Sequence, residues 1–280
     1  MTDVLPFLVL PFLAGLVLTG IHAYLGVHVV ERGVIFVDLS LAQIAALGTT
    51  MALIMGYGPA DNASYLISLA FTIIGAAIFA LTRIHHETRI PQEAIIGIVY
   101  AVSAAAAILV MSKAPQETEH LKDMLVGNIL AVSWHTVIKT AILYALVGLF
   151  HFIFRKKFLA ISVGQHVGTN VAVDNVKFWD FLFYTSFGFV VTSSVAIAGV
   201  LLVFSYLIVP SVGAMLFANS IGKRLAIGWS MGALVTAIGV IVSFRADLPT
   251  GATIVCTFGV ALAVLAVVRV LIPRKVMAST

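Results

Sequence analysis

Apolar runs of about 20 residues, separated by short polar stretches, fill most of the chain. A helix crossing the hydrocarbon core of a bilayer needs about 20 mostly apolar residues, because its backbone must satisfy its hydrogen bonds internally. Nine runs meet that length: residues 5–27, 34–55, 64–81, 94–111, 136–154, 178–198, 200–218, 226–244 and 253–272. None shows the period-2 alternation of a porin strand, so the pattern predicts an all-α polytopic membrane protein rather than a transmembrane β-barrel. The adjacent runs at 178–198 and 200–218 leave two readings open: two full spans, or one span followed by a re-entrant half-helix. The first run carries Asp3 and no basic residue ahead of a long apolar stretch, unlike a cleaved signal peptide.

Composition agrees. Apolar residues make up 61% of the 280 and charged residues 10%, against roughly 45–50% and about 25% in soluble globular proteins. A soluble enzyme, a disordered segment and a nucleic-acid binder are excluded. The net charge of +4 comes from bases at span ends, where they report orientation. With the Arg155-Lys156-Lys157 loop in the cytoplasm and the spans alternating, twelve bases fall inside and four (Lys113, Lys122, Lys139 and Arg245) outside. That bias predicts an outside N-terminus and an inside C-terminus. Cys256 is the single cysteine, so a disulfide framework and a cysteine metal cluster are ruled out.

No linker divides the chain, which reads as one membrane domain over residues 1–280. Its largest soluble element is residues 155–177, either a short amphipathic helix at the cytoplasmic surface or an ordinary loop. Within the spans, polar groups mark where function is to be sought, because a charge near the centre costs about 2.5–3.5 kcal/mol on insertion scales. The richest stretch opens the second span. Ser40 and Gln43 lie three apart on one helix face, with Asp38 one or two residues off that face. They suit either the lining of a translocation path or interhelical hydrogen bonding, with Asp38 at the interface or paired with Arg32. Pro210, flanked by Tyr206 and Ser211, is expected to kink its helix and free backbone groups that need neighbours or water. Glu93, in the first turn of the fourth span, is explained by the helix macrodipole, and Asp180, near the start of the sixth, reads as an interfacial anchor.

The eight histidines form no recognisable metal cluster: His85-His86 and His151 fall at span ends, and His22 and His28 on the first span. No HExxH zinc motif and no GxxxxGK[ST] phosphate loop occurs. ATP-driven transport therefore calls for another polypeptide to hydrolyse the nucleotide.

Six stretches, in order, resemble the permease subunit of bacterial zinc/manganese/iron-type ABC importers. They are Leu25-Gly26-Val27 leading to Arg32; Asp38 to Gly48; Glu93-Ala94-Ile95-Ile96-Gly97-Ile98; Asp123-Met124-Leu125-Val126-Gly127-Asn128-Ile129-Leu130; Gly199-Val200-Leu201-Leu202-Val203 through Pro210; and Asp247-Leu248-Pro249-Thr250-Gly251-Ala252. The resemblance implies a permease bundle of about 8–9 transmembrane helices in the bacterial cytoplasmic (inner) membrane, and no cofactor. It also implies a second copy of the chain, a cytoplasmic ATP-binding subunit and an extracytoplasmic solute-binding protein. By position, the ATPase-coupling element is the neighbourhood of Gly164, Gln165, His166, Gly168 and Asn170. The expected activity is import of a divalent metal ion (zinc, manganese or iron) or a metal complex by alternating access. Asp38, Ser40, Gln43, Tyr206, Pro210 and Ser211 are the expected lining of the path. A stand-alone secondary transporter or channel is the alternative.

One departure bears on the cargo. The family commonly reads Gly-Asp-Ala-Leu-Ser-His in the second span, a carboxylate and an imidazole one turn apart, which suit Zn²⁺ or Mn²⁺. Aligned on Gly48, this chain has Leu39 at the Asp position and Gln43 at the His position, with Asp38 offset by about 100° around the helix. The transporter class carries over, and the metal does not follow from these residues.

Overall fold

The computed structural model describes residues 4–58, 61–83, 90–112, 127, 129–167 and 173–271. The chain order is α1 (Val4–Glu31), α2 (Val37–Ile54), α3 (Asn62–Leu81), α4 (Gln92–Met111), a 3₁₀ turn (Ile129–Ala131), α5 (Trp134–Ile153) and α6 (Arg155–Val167). A 40-residue helical run, Val176–Met215, follows, and then α9 (Ile221–Ala246) and α10 (Thr250–Leu271). Among the described residues, eight helices are long and apolar enough to cross a membrane, and no strand is present.

The 40-residue run is two helices. At about 1.5 Å per residue a straight helix of that length would be about twice the thickness of the hydrocarbon core. Gly199, with φ 74° and ψ 160°, interrupts it and separates α7 (residues 176–198) from α8 (residues 200–215). Residue contacts show that the chain reverses there. Asp180 near the start of α7 bonds Arg32, just past the end of α1. Ala198 at the other end of α7 packs against Gly127. In α8, Leu207 and Ser211 abut Gly26. Just past α8, the Ala218 carbonyl accepts from Arg224, which also pairs with Glu31 at the end of α1. α7 therefore leaves the end that carries Arg32 and α8 returns to it, so the reading of two passes holds. Only glycine adopts that φ without strain. The turn is buried, with Val200 3% exposed and Gly127 set against the Ala198 carbonyl. The break falls at Gly199; the helix continues through Pro210, the residue expected to kink it.

α1, α7 and α8 form the middle of the bundle. α2, α3 and α4 pack on the α7 side, α9 and α10 on the α1 and α8 side. Close approach is set by small residues: Gly48 of α2 faces the Ser68 backbone of α3, Gly26 of α1 faces α8, and Gly239 of α9 faces Ile254 of α10, as in membrane bundles where packing rather than water exclusion drives association. The outer faces are apolar, with Ile98, Val102 and Leu109 of α4, Ile138, Ile142, Leu146 and Leu149 of α5, and Val260, Val264 and Val267 of α10 all exposed. Arg32, Arg83, Arg224 and Arg269 gather at one end of the bundle. Under the positive-inside rule that end is cytoplasmic.

Residues 155–177 resolve in favour of a helix over their first half. α6 has 13 residues and buries Phe158, Ile161 and Ser162 against the bundle while Arg155, Lys156 and Lys157 stay exposed. Gly164, Gln165 and His166 fall in its last turn; Gly168 and Asn170 lie outside the described residues.

Candidate translocation lining and the inner-end network

α2 is among the most buried of the spans, and its faces differ. Asp38 is 1% exposed and Ser40 fully buried, and neither Asp38 Oδ1 nor Ser40 Oγ has a hydrogen-bond partner among the described residues. Leu39, Leu47 and Met51 are half-buried, and Gln43, on the same stripe at four-residue spacing, keeps 8% of its surface open. Leu39 and Gln43 therefore share the less buried stripe of α2, although Leu39 still packs against the core and Gln43 is itself buried, while Asp38 and Ser40 are more deeply buried. The start of α2 is fixed by Glu93 of α4, whose Oε1 accepts the Phe36 N–H at 2.9 Å. Glu93 thus serves a second helix terminus beyond its own.

Tyr206, Pro210 and Ser211 lie elsewhere. The Tyr206 hydroxyl shares a 2.8 Å hydrogen bond with Thr236 of α9, and its ring meets Phe258 of α10 edge-on at 5.2 Å. Gly15 of α1 leaves the space for that hydroxyl. Ser211 donates to the Leu207 carbonyl at 2.8 Å and lies 3.3 Å from the Ala23 carbonyl. Pro210 packs on Gly228 of α9. Among the described residues none of these hydrogen bonds or ring contacts reaches α2.

What the structure does bring together is a polar network whose members lie far apart along the chain. His28 Nδ1 lies 2.8 Å from Ser162 Oγ of α6. Arg32 Nε donates to the same Oγ at 2.7 Å and Arg32 Nη1 to Asp180 Oδ1 at 2.8 Å. Asp180 Oδ2 also pairs with Arg83, which follows α3. The Arg32 guanidinium sits 3.9 Å from the centre of the Phe183 ring, a cation–π placement. Farther into the bundle, His151 Nε2 of α5 bonds Ser186 of α7 at 2.8 Å, and its Nδ1 lies 3.3 Å from the Tyr24 hydroxyl. His22, His28 and His151 are all at most 1% exposed, not interfacial. Asp180, also 1% exposed, is a buried counter-ion and not an interfacial anchor, and Arg32 pairs with it rather than with Asp38. On the other side of α1, Glu31 pairs with Arg224 of α9. Two consecutive residues of opposite charge, Glu31 and Arg32, thus tie α1 to α9 in one direction and to α6, α7 and α3 in the other. The one local signal was the four-residue spacing of His28 and Arg32, which puts both on one helical face.

Among the described residues no group of three His, Cys, Asp or Glu side chains is placed to hold a metal ion; His85 and His86 lie outside them.

Comparison with known proteins gives the context. Over 207 residues, covering 70% of this chain and 71% of the relative, the sequence is 31% identical to the manganese transport system membrane protein MntC of Listeria monocytogenes. It is 24% identical over 233 residues, 83% of this chain and 76% of the relative, to the chelated iron transport system membrane protein YfeC of Yersinia pestis. The fold is similar to that of a chain in the structure of PsaBC from Streptococcus pneumoniae in complex with Fab, with a TM-score of 0.75 at 23% identity, covering 92% of this chain and 90% of that one. The apolar helices and these relatives make the chain a multi-pass protein of the bacterial inner membrane. Residues 4–270 match the model of the ABC 3 transport family, and the chain belongs to it as a membrane-embedded permease subunit.

Proposed function

We propose that this permease imports a divalent metal ion or a metal complex, working as two copies around a shared path with a separate cytoplasmic ATPase and an extracytoplasmic binding protein. The reading rests above all on the family and on the manganese and chelated-iron names of the relatives, and is supported by Gln43 on the less buried stripe of α2. Gln43 supplies a neutral amide oxygen, and Leu39, one turn before it, supplies no donor. Such a lining favours weak, transient contact with a hydrated ion or chelate over tight capture of Zn²⁺, for which imidazole and thiolate are the stronger ligands. A cargo must leave as readily as it enters, and a weak donor set serves that.

The network at the inner end supplies a mechanical route. A push on α6 from the ATPase moves Ser162, and through it His28 and Arg32 of the α1 end. Asp180 carries the displacement to α7 and to Arg83 after α3, and the Glu31–Arg224 pair carries it to α9. In this reading Gly164, Gln165, His166, Gly168 and Asn170 form the ATPase-facing end of the same segment. Asp38, Ser40 and Gln43 change exposure as the helices rearrange.

The test is Gln43→Leu, read as cellular manganese and iron content together with the amount of protein in the membrane. Loss of uptake with normal membrane abundance is expected. Unchanged uptake removes Gln43 from the path, and uptake by the isolated chain in ATP-free vesicles removes the ATPase from the mechanism.

A further inference from the structure

The junction of α5 and α6 holds a cavity of about 300 Å³ lined by Ile153, Phe154, Arg155, Lys156 and Lys157. Three cations stand in a row here. They occupy the first turn of α6, which only Phe154 separates from the end of α5. Among the described residues no carboxylate lies within ion-pair distance of any of them. Aromatic faces hold two instead: the Arg155 guanidinium lies 4.3 Å from the Phe152 ring centre, and Lys157 Nζ 4.2 Å from that of Trp179. Lys156 is exposed. The nearest buried carboxylate, Asp180, is already shared by Arg32 and Arg83. An anion in the cavity would meet three bases that no carboxylate neutralises among the described residues.

The surroundings decide which anion. The exposed apolar stripe of α5, Ile142, Leu146 and Leu149, leads at helical spacing to Phe152 and Ile153, which are 62% and 63% exposed and stand beside the three bases. A ligand seated there has its charged part on Arg155, Lys156 and Lys157 and an apolar track leading away along α5 into the hydrocarbon. We propose that this cavity binds the phosphate headgroup of one anionic phospholipid of the inner leaflet, its acyl chains lying along α5. The lipid neutralises the first turn of α6 and pins that helix to the membrane plane, which keeps its opposite face, with Phe158 and Ser162, against the bundle. The proposal needs only the membrane orientation and is independent of the cargo.

Native mass spectrometry of the delipidated full-length chain tests it, with phosphatidylglycerol and phosphatidylethanolamine as probes. One phosphatidylglycerol is expected to be retained, with phosphatidylethanolamine held at least about tenfold more weakly. Each base near an anionic headgroup contributes about fivefold to binding. Substituting Arg155, Lys156 and Lys157 together with Gln is therefore expected to weaken retention on the order of a hundredfold. Lys156→Gln alone, an exposed change that leaves the fold intact, is expected to weaken it about fivefold. Lys223→Gln, at the same membrane face but outside the cavity, is expected to change nothing. Equal retention of the two lipids, an equal loss from Lys223→Gln, unchanged retention in the triple variant, or displacement of the lipid by excess inorganic phosphate would each overturn the proposal.

Discussion

Asp180 is the residue on which the inner end of the bundle most depends. It is 1% exposed and neutralises Arg32, whose side chain is 5% exposed, and Arg83, whose side chain is 23% exposed. Asp180→Asn keeps the shape and removes the charge. Arg32 cannot then reach water: it is boxed in by Phe183, Ser162 and His28, and its Nη2 already lacks a partner. A buried charge stranded in this way costs about 3–5 kcal/mol. Arg83 can turn outward, so Arg83→Gln, which leaves the Arg32–Asp180 pair intact, is expected to cost at most about 1 kcal/mol, as for exposed pairs.

The double variant separates charge from packing. Replacing both members of a buried pair by apolar residues of similar volume is often neutral or stabilising. Arg32→Met with Asp180→Leu is therefore expected to be more stable than Asp180→Leu alone, by most of the single variant's loss. Unfolding in mixed micelles, followed by tryptophan fluorescence, compares Asp180→Asn and Arg83→Gln with the parent, and the cycle of parent, Arg32→Met, Asp180→Leu and the double variant yields the coupling energy. If Asp180→Asn falls within about 1 kcal/mol of the parent, if Arg83→Gln costs as much, or if the double variant is no better than the single one, the ion network is not what holds α1, α3 and α7 together. A transport assay on the assembled importer adds a second reading. An importer assembled with the stable double variant is expected to turn over ATP with little uptake if the proposed link from α6 through Arg32 to α7 carries the coupling.

Two further substitutions probe the packing around α8. Gly26→Ala places a methyl group onto the Leu207 carbonyl and Ser211 Oγ; overpacking of this kind is expected to cost about 1–3 kcal/mol in the same unfolding assay, and an unchanged midpoint would mean that α1 and α8 are not in tight contact. Tyr206→Phe deletes only the hydroxyl shared with Thr236, so a loss of about 1 kcal/mol in stability is expected; uptake retained would mean that the hydroxyl serves packing alone, and loss of uptake at normal abundance would support its place in the path.

The spans were legible because lipid imposes one rule on every residue of a helix, and about 20 apolar residues in a row leave little else for the chain to do. The charge bias at the helix ends was legible for the same reason. The reversal between α7 and α8 was legible as a length, two spans' worth of apolar chain, but not as a place. Pro210 carries the local signal for a break, through its ring and missing N–H, yet α8 runs through it. The turn instead needs a left-handed φ and room for Gly127 against the Ala198 carbonyl, both of which only Gly199 and its tertiary neighbour supply. The inner-end network was invisible because its members are far apart in sequence. Arg32 and Asp180 are separated by 148 positions, and His28 and Ser162 by 134. Read singly, a histidine near a span end or an aspartate in a first turn is explained by the interface or the dipole, and nothing local distinguishes the one that is buried and paired.

The two polar regions differ in a way that fits a machine with one stiff and one yielding part. At the inner end almost every buried charge has a counter-charge, and Glu31 and Arg32 fasten four other segments to the end of α1. A plate braced in this manner moves as a unit, since bending it would expose charges in a low-dielectric setting at several kcal/mol each. Along α2 the situation is reversed: Asp38 Oδ1 and Ser40 Oγ are buried without partners among the described residues. Unmet groups of that sort each forgo about 1–3 kcal/mol, and a state of the transporter that offers them water or cargo would recover that amount at each group. Rotating α2 by the roughly 100° that separates Asp38 from Leu39 would bring the carboxylate onto the face that Gln43 already occupies. The missing family carboxylate at position 39 would then be supplied from position 38 in only one of the two access states. Cysteine accessibility discriminates: if Asp38→Cys reacts with a membrane-impermeant thiol reagent equally with and without ATP turnover, α2 does not turn.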